Sequence, residues 1–588
     1  MGEVKHGWVD ALTVGVRVSS LAALAALVAE FGFHLDPRSL ELLHRVELAV
    51  TALLAIATIA RVSTASDRRR YFVEHRLECV LVALFLLGVG ASVALGGPVL
   101  GYRWSLLAAQ VYLVVVGALG LARANEHLLQ RHFRPELALV GSFVLLIALG
   151  TALLLLPAMR ADGARAWRWS DALFTATSAV CVTGLSVRDV ALDLSFRGQA
   201  LLLALIQLGG LGLVALAATV SVFQRRSLRL EEAGALQALL GVDDLGSLRR
   251  FLKYMLAITL AAEVVGTALL LQASAPAHHF EGGQLWWAVF HSVSAFCNAG
   301  FGLHSDSLVG RMHDPYVLTV IAGLIIVGGL GYPVWTDLLR YRLGSMPMLR
   351  RAAWRIVHEL GGARTRLALH TKLTLWTVGV LLVGGTLVFW LSERVGALAG
   401  LGAVDQWTNS FFQAVTARTA GFNSLDLTVL AMPTLVAMMV LMAIGASPLS
   451  TGGGIKTSAV AIVFHMLRAM VKNREQVDAF GRSVPRGIVN AAVSVVVLYV
   501  IAMLALTTAL VATQDGLDFG KALFETISAL STVGLSLGVT AQVDDVGRVI
   551  LCLTMLIGRV GPLALLWSLF SRGPTARYEY PSEKLVVA

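Results

Sequence analysis

The chain has 588 residues, of which 57% are hydrophobic and only 14% are charged. Soluble globular chains carry about 25% charged residues, so the composition excludes that class and favours a protein that lies in a lipid bilayer. The formal net charge of +10 would suit a nucleic-acid partner, but the basic residues cluster between apolar runs, as at Arg68–Arg70 and Arg350–Arg351. Such clusters follow the positive-inside pattern of membrane proteins. We therefore expect membrane lipid, and no nucleic acid, as a partner.

Apolar runs follow one another along the chain, and a run of about 20 residues is long enough to span a bilayer as a helix. The predicted spans lie near 11–33, 45–62, 77–96, 104–122, 135–157, 198–223, 251–272, 315–338, 369–392, 428–465, 487–512 and 546–570. Shorter amphipathic segments alternate with the later spans, near 170–181, 285–297, 405–418 and 519–531. These segments are too short to cross, so each is predicted to be a half-helix that enters the membrane and returns.

Each short segment ends in a turn of small residues with one glycine. The turns are Val182-Thr183-Gly184-Leu185, Asn298-Ala299-Gly300-Phe301, Thr419-Ala420-Gly421-Phe422 and Thr532-Val533-Gly534-Leu535. The fourfold recurrence predicts an all-α polytopic membrane protein with four pseudo-symmetric repeats of helix, pore helix, filter turn and helix around one pore. The predicted divisions are an accessory region of four extra transmembrane helices at 1–134, then repeats at 135–250, 251–366, 367–486 and 487–588.

The glycine turns have the chemistry of a cation filter. Glycine tolerates positive φ, so the carbonyl oxygens of a short strand can all point to one axis and replace the hydration shell of a cation. The half-helix before each turn adds the negative end of its dipole. Thr183, Thr419 and Thr532 can add hydroxyl oxygens. Since only glycine is common to the four turns, the residues alone leave potassium and sodium open.

The four turn regions also resemble those of a known family. The segments ALFTATSAVCVTGLSV, FHSVSAFCNAGFGLHSDSL, FFQAVTARTAGFNSLDL and ALFETISALSTVGLSLG are similar to the filter regions of the Trk/Ktr/HKT potassium transporters, and most of all to bacterial KtrB- and TrkH-type pore subunits. The resemblance implies potassium uptake across the bacterial cytoplasmic membrane by a homodimer. It also implies a cytoplasmic RCK-type subunit that binds ATP/ADP or NAD, while this chain itself binds the transported K⁺ and no organic cofactor.

The tenth span contains a break. Its sequence, GASPLSTGGGIKT, combines proline with three consecutive glycines, which interrupts a helix. In the family the equivalent stretch is an intramembrane gating loop below the filter, and the resemblance implies the same role here. The predicted gate residues are Gly445, Ser447, Pro448, Gly452, Gly453, Gly454, Lys456 and, from the twelfth span, Arg559.

Two buried arginines are candidates for distinct roles. Arg559 at mid-membrane costs about 2.5–3.5 kcal/mol on insertion scales, so it is expected to face a wet cavity or a partner and to act as a cationic barrier. Arg418, just before the third turn, is expected to brace the filter through backbone groups or an acid such as Glu525. The basic loops place both termini in the cytoplasm and the filter mouth outside.

The sequence also allows other functions to be weighed against potassium uptake. The same scaffold can serve a sodium or non-selective cation pathway, and the potassium-binding subunit of a P-type pump also has four such repeats. A membrane-embedded enzyme is disfavoured, because the sequence has no HExxH or Walker motif and no paired carboxylates within its spans.

Overall fold

The computed structural model describes residues 25–64, 76–94, 135–212, 245–273, 283–345 and 366–561, with 106, 109, 110 and 112. This part of the chain is helical apart from loops and one two-stranded hairpin, Asp478–Ala479 (β1) with Arg482–Ser483 (β2). The helical fold class is therefore confirmed. Most of the predicted first and fourth spans, both long linkers after 212 and 345, and the tail after 561 lie outside the described residues.

The longer helices are numbered in chain order. They are α1 Pro37–Thr64, α2 Arg76–Ala94, α3 Pro135–Leu154, α4 Trp169–Val180, α5 Phe196–Leu211, α6 Leu245–Leu270, α7 Gly283–Cys297, α8 Pro315–Gly329, α9 Tyr332–Ser345, α10 Leu369–Glu393, α11 Ala403–Thr416, α12 Met432–Ala443, α13 Thr457–Val471, α14 Arg486–Thr513, α15 Phe519–Leu530 and α16 Asp545–Val560. The short helices Val190–Asp193 and Val539–Gln542 lie in loops that follow α4 and α15.

Several helices are long and apolar enough to cross a membrane. Within the described residues, α1, α6, α10 and α14 meet this criterion, and α8 with α9 does so as a bent pair. Large apolar side chains on these helices are exposed, for example Leu53 (51%), Val383 (62%) and Leu504 (51%). Such side chains are stable when they face lipid, so the chain is a multi-pass membrane protein.

The four predicted half-helices coincide with α4, α7, α11 and α15, which have 12 to 15 residues each. In contrast to the long helices they are buried, and each carries a fully buried phenylalanine: Phe174, Phe290, Phe412 and Phe524. Aspartates begin several neighbouring helices by accepting backbone N–H groups, as Asp544 does from Gly547 at 2.8 Å. That bond, together with the Gln514 amide, lowers the pKa of the exposed Asp544 carboxyl.

The predicted eighth span at 315–338 is wrong as a single helix. The chain bends by 95° between α8 and α9, and Gly331 at the break has a φ of +84°. A methyl group on Gly331 would lie 2.5 Å from the Pro448 carbonyl oxygen, and the Tyr332 N–H donates to the Leu449 carbonyl at 3.2 Å. The break therefore accommodates the interrupted tenth span, which the periodicity of 315–338 alone does not reveal.

The described part of the N-terminal region contains a buried polar cluster. Glu47 is fully buried on α1, and the Gln110 amide donates to the Glu30 carboxylate at 2.9 Å. His44 lies 2.9 Å from the same carboxylate. Arg197 at the start of α5 donates to the Glu30 carbonyl at 3.3 Å, so this region contacts the rest of the fold.

Candidate ion pathway

The four glycine turns meet in a closed ring. A methyl group on Gly184 would lie 2.5 Å from the Ala299 carbonyl oxygen, and one on Gly300 would lie 2.7 Å from that of Ala420. In the same way Gly421 abuts the carbonyl of Val533, and Gly534 abuts that of Thr183. Each turn thus touches the next, and the fourth returns to the first. The sequence-predicted filter residues are brought together around one centre.

Two residues of each turn have a positive φ: the first residue and the glycine. Val182, Asn298, Thr419 and Thr532 have φ between 51° and 73°, and the glycine two residues later has φ between 71° and 97°. Positive φ at a non-glycine residue costs about 1–2 kcal/mol, so surrounding contacts must hold it. The residues that follow the glycines supply such contacts, because their large side chains are buried in the core: Leu185, Phe301, Phe422 and Leu535.

The turns leave their carbonyl groups without partners. Their N–H groups point back to the preceding helix: Thr183 donates to Ser178, Ala299 to Ser294 and Val533 to Ser528, all at 2.8 Å. No described residue donates to the carbonyl oxygens of 182–184, 298–300, 419–421 or 532–534. Buried backbone carbonyls are almost always paired, so a group of carbonyl oxygens without N–H partners has the chemistry to accept a cation.

Buried hydroxyl groups repeat the same pattern. The side-chain oxygens of Thr183, Thr419 and Thr532 are buried and have no hydrogen-bond partner among the described residues. Thr419 and Thr532 are the first residues of their turns, whereas Thr183 is the second residue of its turn. In the remaining turn Asn298 is the first residue, and its amide group lies 3.1 Å from the Thr451 hydroxyl. The ring therefore presents neutral oxygens from both backbone and side chains, which suits a weakly hydrated monovalent cation.

Glycines on the helices after the turns let those helices approach the ends of the short helices. A methyl group on Gly209, Gly328 or Gly558 would overlap the last carbonyl groups of α4, α7 and α15, at Val180, Phe296 and Leu530 respectively. These glycines therefore permit close packing between the helices. The close approach holds the negative helix ends, and so the turns, in place.

We expect Gly558→Ala to destabilise the protein by about 2 kcal/mol, since its methyl group has to displace the Leu530 backbone. The measurement is the midpoint of thermal unfolding in detergent. The matched control is Gly323→Ala, also within a helix but with no atom within 4 Å of the added methyl group. That control should leave the midpoint unchanged or slightly higher; equal losses in both variants would contradict the packing argument.

The interrupted tenth span forms a loop directly against the ring. The loop, residues 444–456, connects α12 to α13. A methyl group on Gly452 would overlap the Thr419 hydroxyl, and one on Gly453 would overlap the Thr532 hydroxyl. The loop has no room for side chains at these positions, so its glycines lie directly against the threonine side chains of two turns.

Backbone hydrogen bonds fix the shape of this loop. Ser447 N–H donates to the Gly329 carbonyl at 3.0 Å, and Ala446 N–H donates to that of Gly453 at 3.2 Å. The Lys456 ammonium donates to the Gly452 carbonyl at 2.7 Å. Pro448 faces the bend between α8 and α9, where its carbonyl contacts Gly331. These contacts hold five of the predicted gate residues in one loop beside the ring: Ser447, Pro448, Gly452, Gly453 and Lys456.

Arg559 on α16 links the loop to the end of α5. Its guanidinium donates to the Thr451 carbonyl in the loop and to the Gly209 carbonyl at the end of α5. The expectation that Arg559 faces a partner is confirmed, and the partners are carbonyl oxygens. Thr451 was not among the predicted gate residues, and its hydroxyl also donates to the Phe296 carbonyl at 3.2 Å. The feature of the sequence that could have identified Thr451 is its hydroxyl group within the interrupted span.

The proposed pairing of Arg418 with Glu525 is wrong. Arg418 donates instead to the Gly445 carbonyl at 3.4 Å, so the backbone alternative holds. Glu525 accepts from the Ser536 hydroxyl at 2.9 Å and from that of Thr540. The reason is position: Glu525 lies on α15 facing the segment that leaves its own turn, while Arg418 faces the loop.

Each short helix carries a buried polar side chain that braces the segment leaving its turn. On α15 this side chain is Glu525, which accepts from the Ser536 hydroxyl. On α7 it is His291, whose ring nitrogen accepts from the Leu303 N–H at 3.4 Å. Gln413 lies 3.4 Å from the Ser424 hydroxyl, and Asp171 pairs with Arg188 at 2.8 Å. Asp171 also pairs with Arg548 on α16 at 2.8 Å, which ties the first turn region to the last.

We expect Glu525→Gln to lower stability by about 1–2 kcal/mol, since an amide nitrogen in place of one carboxyl oxygen cannot accept a hydrogen bond from the Ser536 or Thr540 hydroxyl. The midpoint of thermal unfolding in detergent measures this loss. The exposed substitution Glu475→Gln is the control. An unchanged unfolding midpoint in Glu525→Gln would show that the brace contributes nothing.

The fold and the ring define a class: a multi-pass helical membrane protein in which four glycine turns contact one another in a closed ring. The family described as TrkH cation transport proteins matches residues 105–578 of the chain. The chain belongs to this family.

Individual relatives agree with this assignment. The chain is 38% identical to Ktr system potassium uptake protein B of Vibrio alginolyticus, over 77% of this chain and 94% of that protein. It is 32% identical to the potassium/sodium uptake protein NtpJ of Enterococcus hirae, over 78% of this chain and 98% of that protein. The fold is similar to the crystal structure of the potassium transporter TrkH from Vibrio parahaemolyticus, with a TM-score of 0.59 at 18% identity, covering 90% of this chain and 98% of the other.

Proposed function

We propose that this protein takes up potassium across the bacterial cytoplasmic membrane through a filter formed by the four glycine turns. The observation that carries the proposal is the ring of carbonyl oxygens at 182–184, 298–300, 419–421 and 532–534, which no described N–H group satisfies. Potassium can replace the missing donors and exchange its water for these oxygens. The membrane potential drives entry with about 2.3 kcal/mol per charge per 100 mV.

The proposed architecture has four repeats around one pore, at 135–250, 251–366, 367–486 and 487–588, with an accessory region at 1–134. Three facts support it. Short buried helices precede all four turns, the turns contact one another in cyclic order, and glycines equivalent to Gly209 pack against the short helices. The positive-inside pattern places both termini in the cytoplasm and the mouth of the filter outside.

The loop at 444–456 is the proposed gate. It crosses the axis below the ring, and Arg559 and Lys456 hold its carbonyls. Movement of this loop would open the passage, and the charge of Arg559 would limit leak while the loop is closed. Glycines at 452–454 leave the loop free to change conformation.

We further propose a homodimer that binds a cytoplasmic RCK-type regulatory subunit. The support is that relatives are named as parts of a Ktr system, which implies more than one component. ATP/ADP or NAD would bind to that subunit. Co-purification of a soluble nucleotide-binding octamer is the expected result, whereas co-purification of an ATPase would favour the pump alternative.

A flux assay in proteoliposomes tests the transported ion. We expect potassium entry that a tenfold excess of sodium reduces by less than half. The name of the relative NtpJ includes sodium, so sodium is the alternative to measure directly. Sodium entry at a rate equal to that of potassium would contradict the potassium proposal. Unchanged flux in the double variant Gly300→Ser with Gly421→Ser would contradict the filter itself.

A further inference from the structure

A basic cavity lies at the end of α13 that is farthest from the ring. It has a volume of about 430 Å³ and lies between α13 and the β1–β2 hairpin. The hairpin is held by the Val484 N–H, which donates to the Val477 carbonyl at 2.8 Å. The charged or titratable side chains that line the cavity are His465, Arg468, Lys472, Arg474, Asp478 and Arg482.

Positive charge dominates this cavity. Asp478 is its one carboxylate, and it lies 3.8 Å from Arg474. Among the described residues, no carboxylate is paired with Arg468, Lys472 or Arg482. Three cations that line one cavity repel one another unless an anion lies between them. Guanidinium and ammonium groups in such an arrangement are suited to a phosphate group.

The surface beside the cavity is apolar and exposed. Phe464 (50% exposed), Leu467 (53%) and Met470 (67%) lie on the neighbouring face of α13, and Phe480 (49%) lies on the hairpin. His465, Arg468 and Lys472 follow one another at helical spacing, so the basic and apolar faces run side by side. A ligand that fills both has a phosphate group and hydrocarbon chains.

The depth of the cavity agrees with this chemistry. α13 has 15 residues, which corresponds to a rise of about 22 Å from the loop. The loop lies beneath the filter within the membrane, and half of the hydrocarbon core is about 15 Å thick. The far end of α13 is therefore at the level of the lipid headgroups.

We propose that this cavity binds the phosphate headgroup of an anionic membrane lipid, such as phosphatidylglycerol, with its acyl chains against Phe464 and Leu467. Basic pockets beside membrane helices on the cytoplasmic side have the charge to bind such headgroups. The proposal rests on the orientation given under the proposed function, which places this end of α13 in the cytoplasmic leaflet. A lipid held here restrains the helix that begins at Thr457, directly after the proposed gate.

Native mass spectrometry of the full chain, freed of lipid in detergent, tests the proposal. The probes are phosphatidylglycerol, phosphatidylcholine and inorganic phosphate. We expect phosphatidylglycerol to bind at least tenfold more tightly than phosphatidylcholine. Because each basic residue near a membrane surface contributes about fivefold in affinity, the double variant Arg468→Gln with Arg482→Gln should bind phosphatidylglycerol about 25-fold more weakly.

The matched control removes two charges from the same end of the molecule. Arg366 precedes α10 and Arg486 is the first residue of α14. Both are exposed, and neither lines the cavity. The double variant Arg366→Gln with Arg486→Gln should change phosphatidylglycerol binding by less than twofold. All four substitutions are at exposed positions, and an unchanged elution volume in size-exclusion chromatography shows that each variant is folded.

Three outcomes overturn the proposal. Equal losses in the two double variants would show that the attraction depends only on overall charge. Displacement of the lipid by millimolar inorganic phosphate would assign the cavity to a soluble phosphate compound. Full lipid binding by the cavity variant, with loss of a co-purifying soluble protein, would assign it to a protein partner. Lipid binding is measured without ion flux, so its failure and the failure of potassium transport are separate results.

Discussion

Potassium uptake by the Gly534→Ala variant is expected to fall about 100-fold. Gly534 has a φ of +97°, which costs an alanine about 1–2 kcal/mol, and its new methyl group would overlap the Thr183 carbonyl. Displacement of that oxygen removes a proposed potassium ligand, so the combined effect is about 3 kcal/mol. Rubidium uptake into cells that lack their own potassium uptake, at equal amounts of protein in the membrane, measures it.

The control for this variant is Gly163→Ala. Gly163 also has a positive φ, +81°, but no atom lies within 4 Å of its added methyl group. It therefore carries the same kind of backbone strain without a neighbour to displace. We expect normal uptake from Gly163→Ala. Normal uptake from Gly534→Ala would refute the proposed filter, and equal loss in both variants would attribute the effect to folding alone.

The second large effect is expected from Arg559→Gln, which should raise potassium flux in the absence of a regulatory subunit by about 30-fold. At an effective dielectric constant of about 20, two unit charges about 8 Å apart repel by about 2 kcal/mol, which corresponds to that factor. The substitution also removes the guanidinium that donates to both Thr451 and Gly209, so the loop loses a tether. Stopped-flow flux into proteoliposomes measures the rate.

Arg559→Lys separates the two contributions. Lysine keeps the positive charge but cannot span both carbonyl groups with a planar fork. A flux near that of the native protein in Arg559→Lys would mean that charge sets the barrier. A flux as high as in Arg559→Gln would mean that the tether matters more. Unchanged flux in Arg559→Gln itself would rule out Arg559 as part of the gate.

Much of the fold could be predicted because local sequence determines it. The short helices were placed within about two residues, since amphipathic segments too short to span and ending in glycine have few alternatives in a membrane. The break in the tenth span followed from Pro448 and the glycines at 452–454. These features depend on residues that are neighbours in the chain, so periodicity and backbone preference were sufficient.

The errors arose where distant segments decide the structure. At the bend, Gly331 packs against Pro448, more than 100 residues away, and the length and hydropathy of 315–338 favour one unbroken span. Arg418 and Glu525 were both buried charges without evident partners, so the sequence suggested that they pair. Their real partners, Gly445 and Ser536, are a carbonyl and a hydroxyl, and no local pattern marks such groups as partners.

The ring is formed by one polypeptide, and the four turns that form its corners differ in sequence. Asn298 stands where two other corners have threonine and one has valine, and Arg418 precedes one turn where cysteine or serine precedes the others. In a channel assembled from identical subunits, every mutation changes all corners at once. Here a single mutation changes one turn and leaves the other three intact, so the proposed filter can diverge one turn at a time.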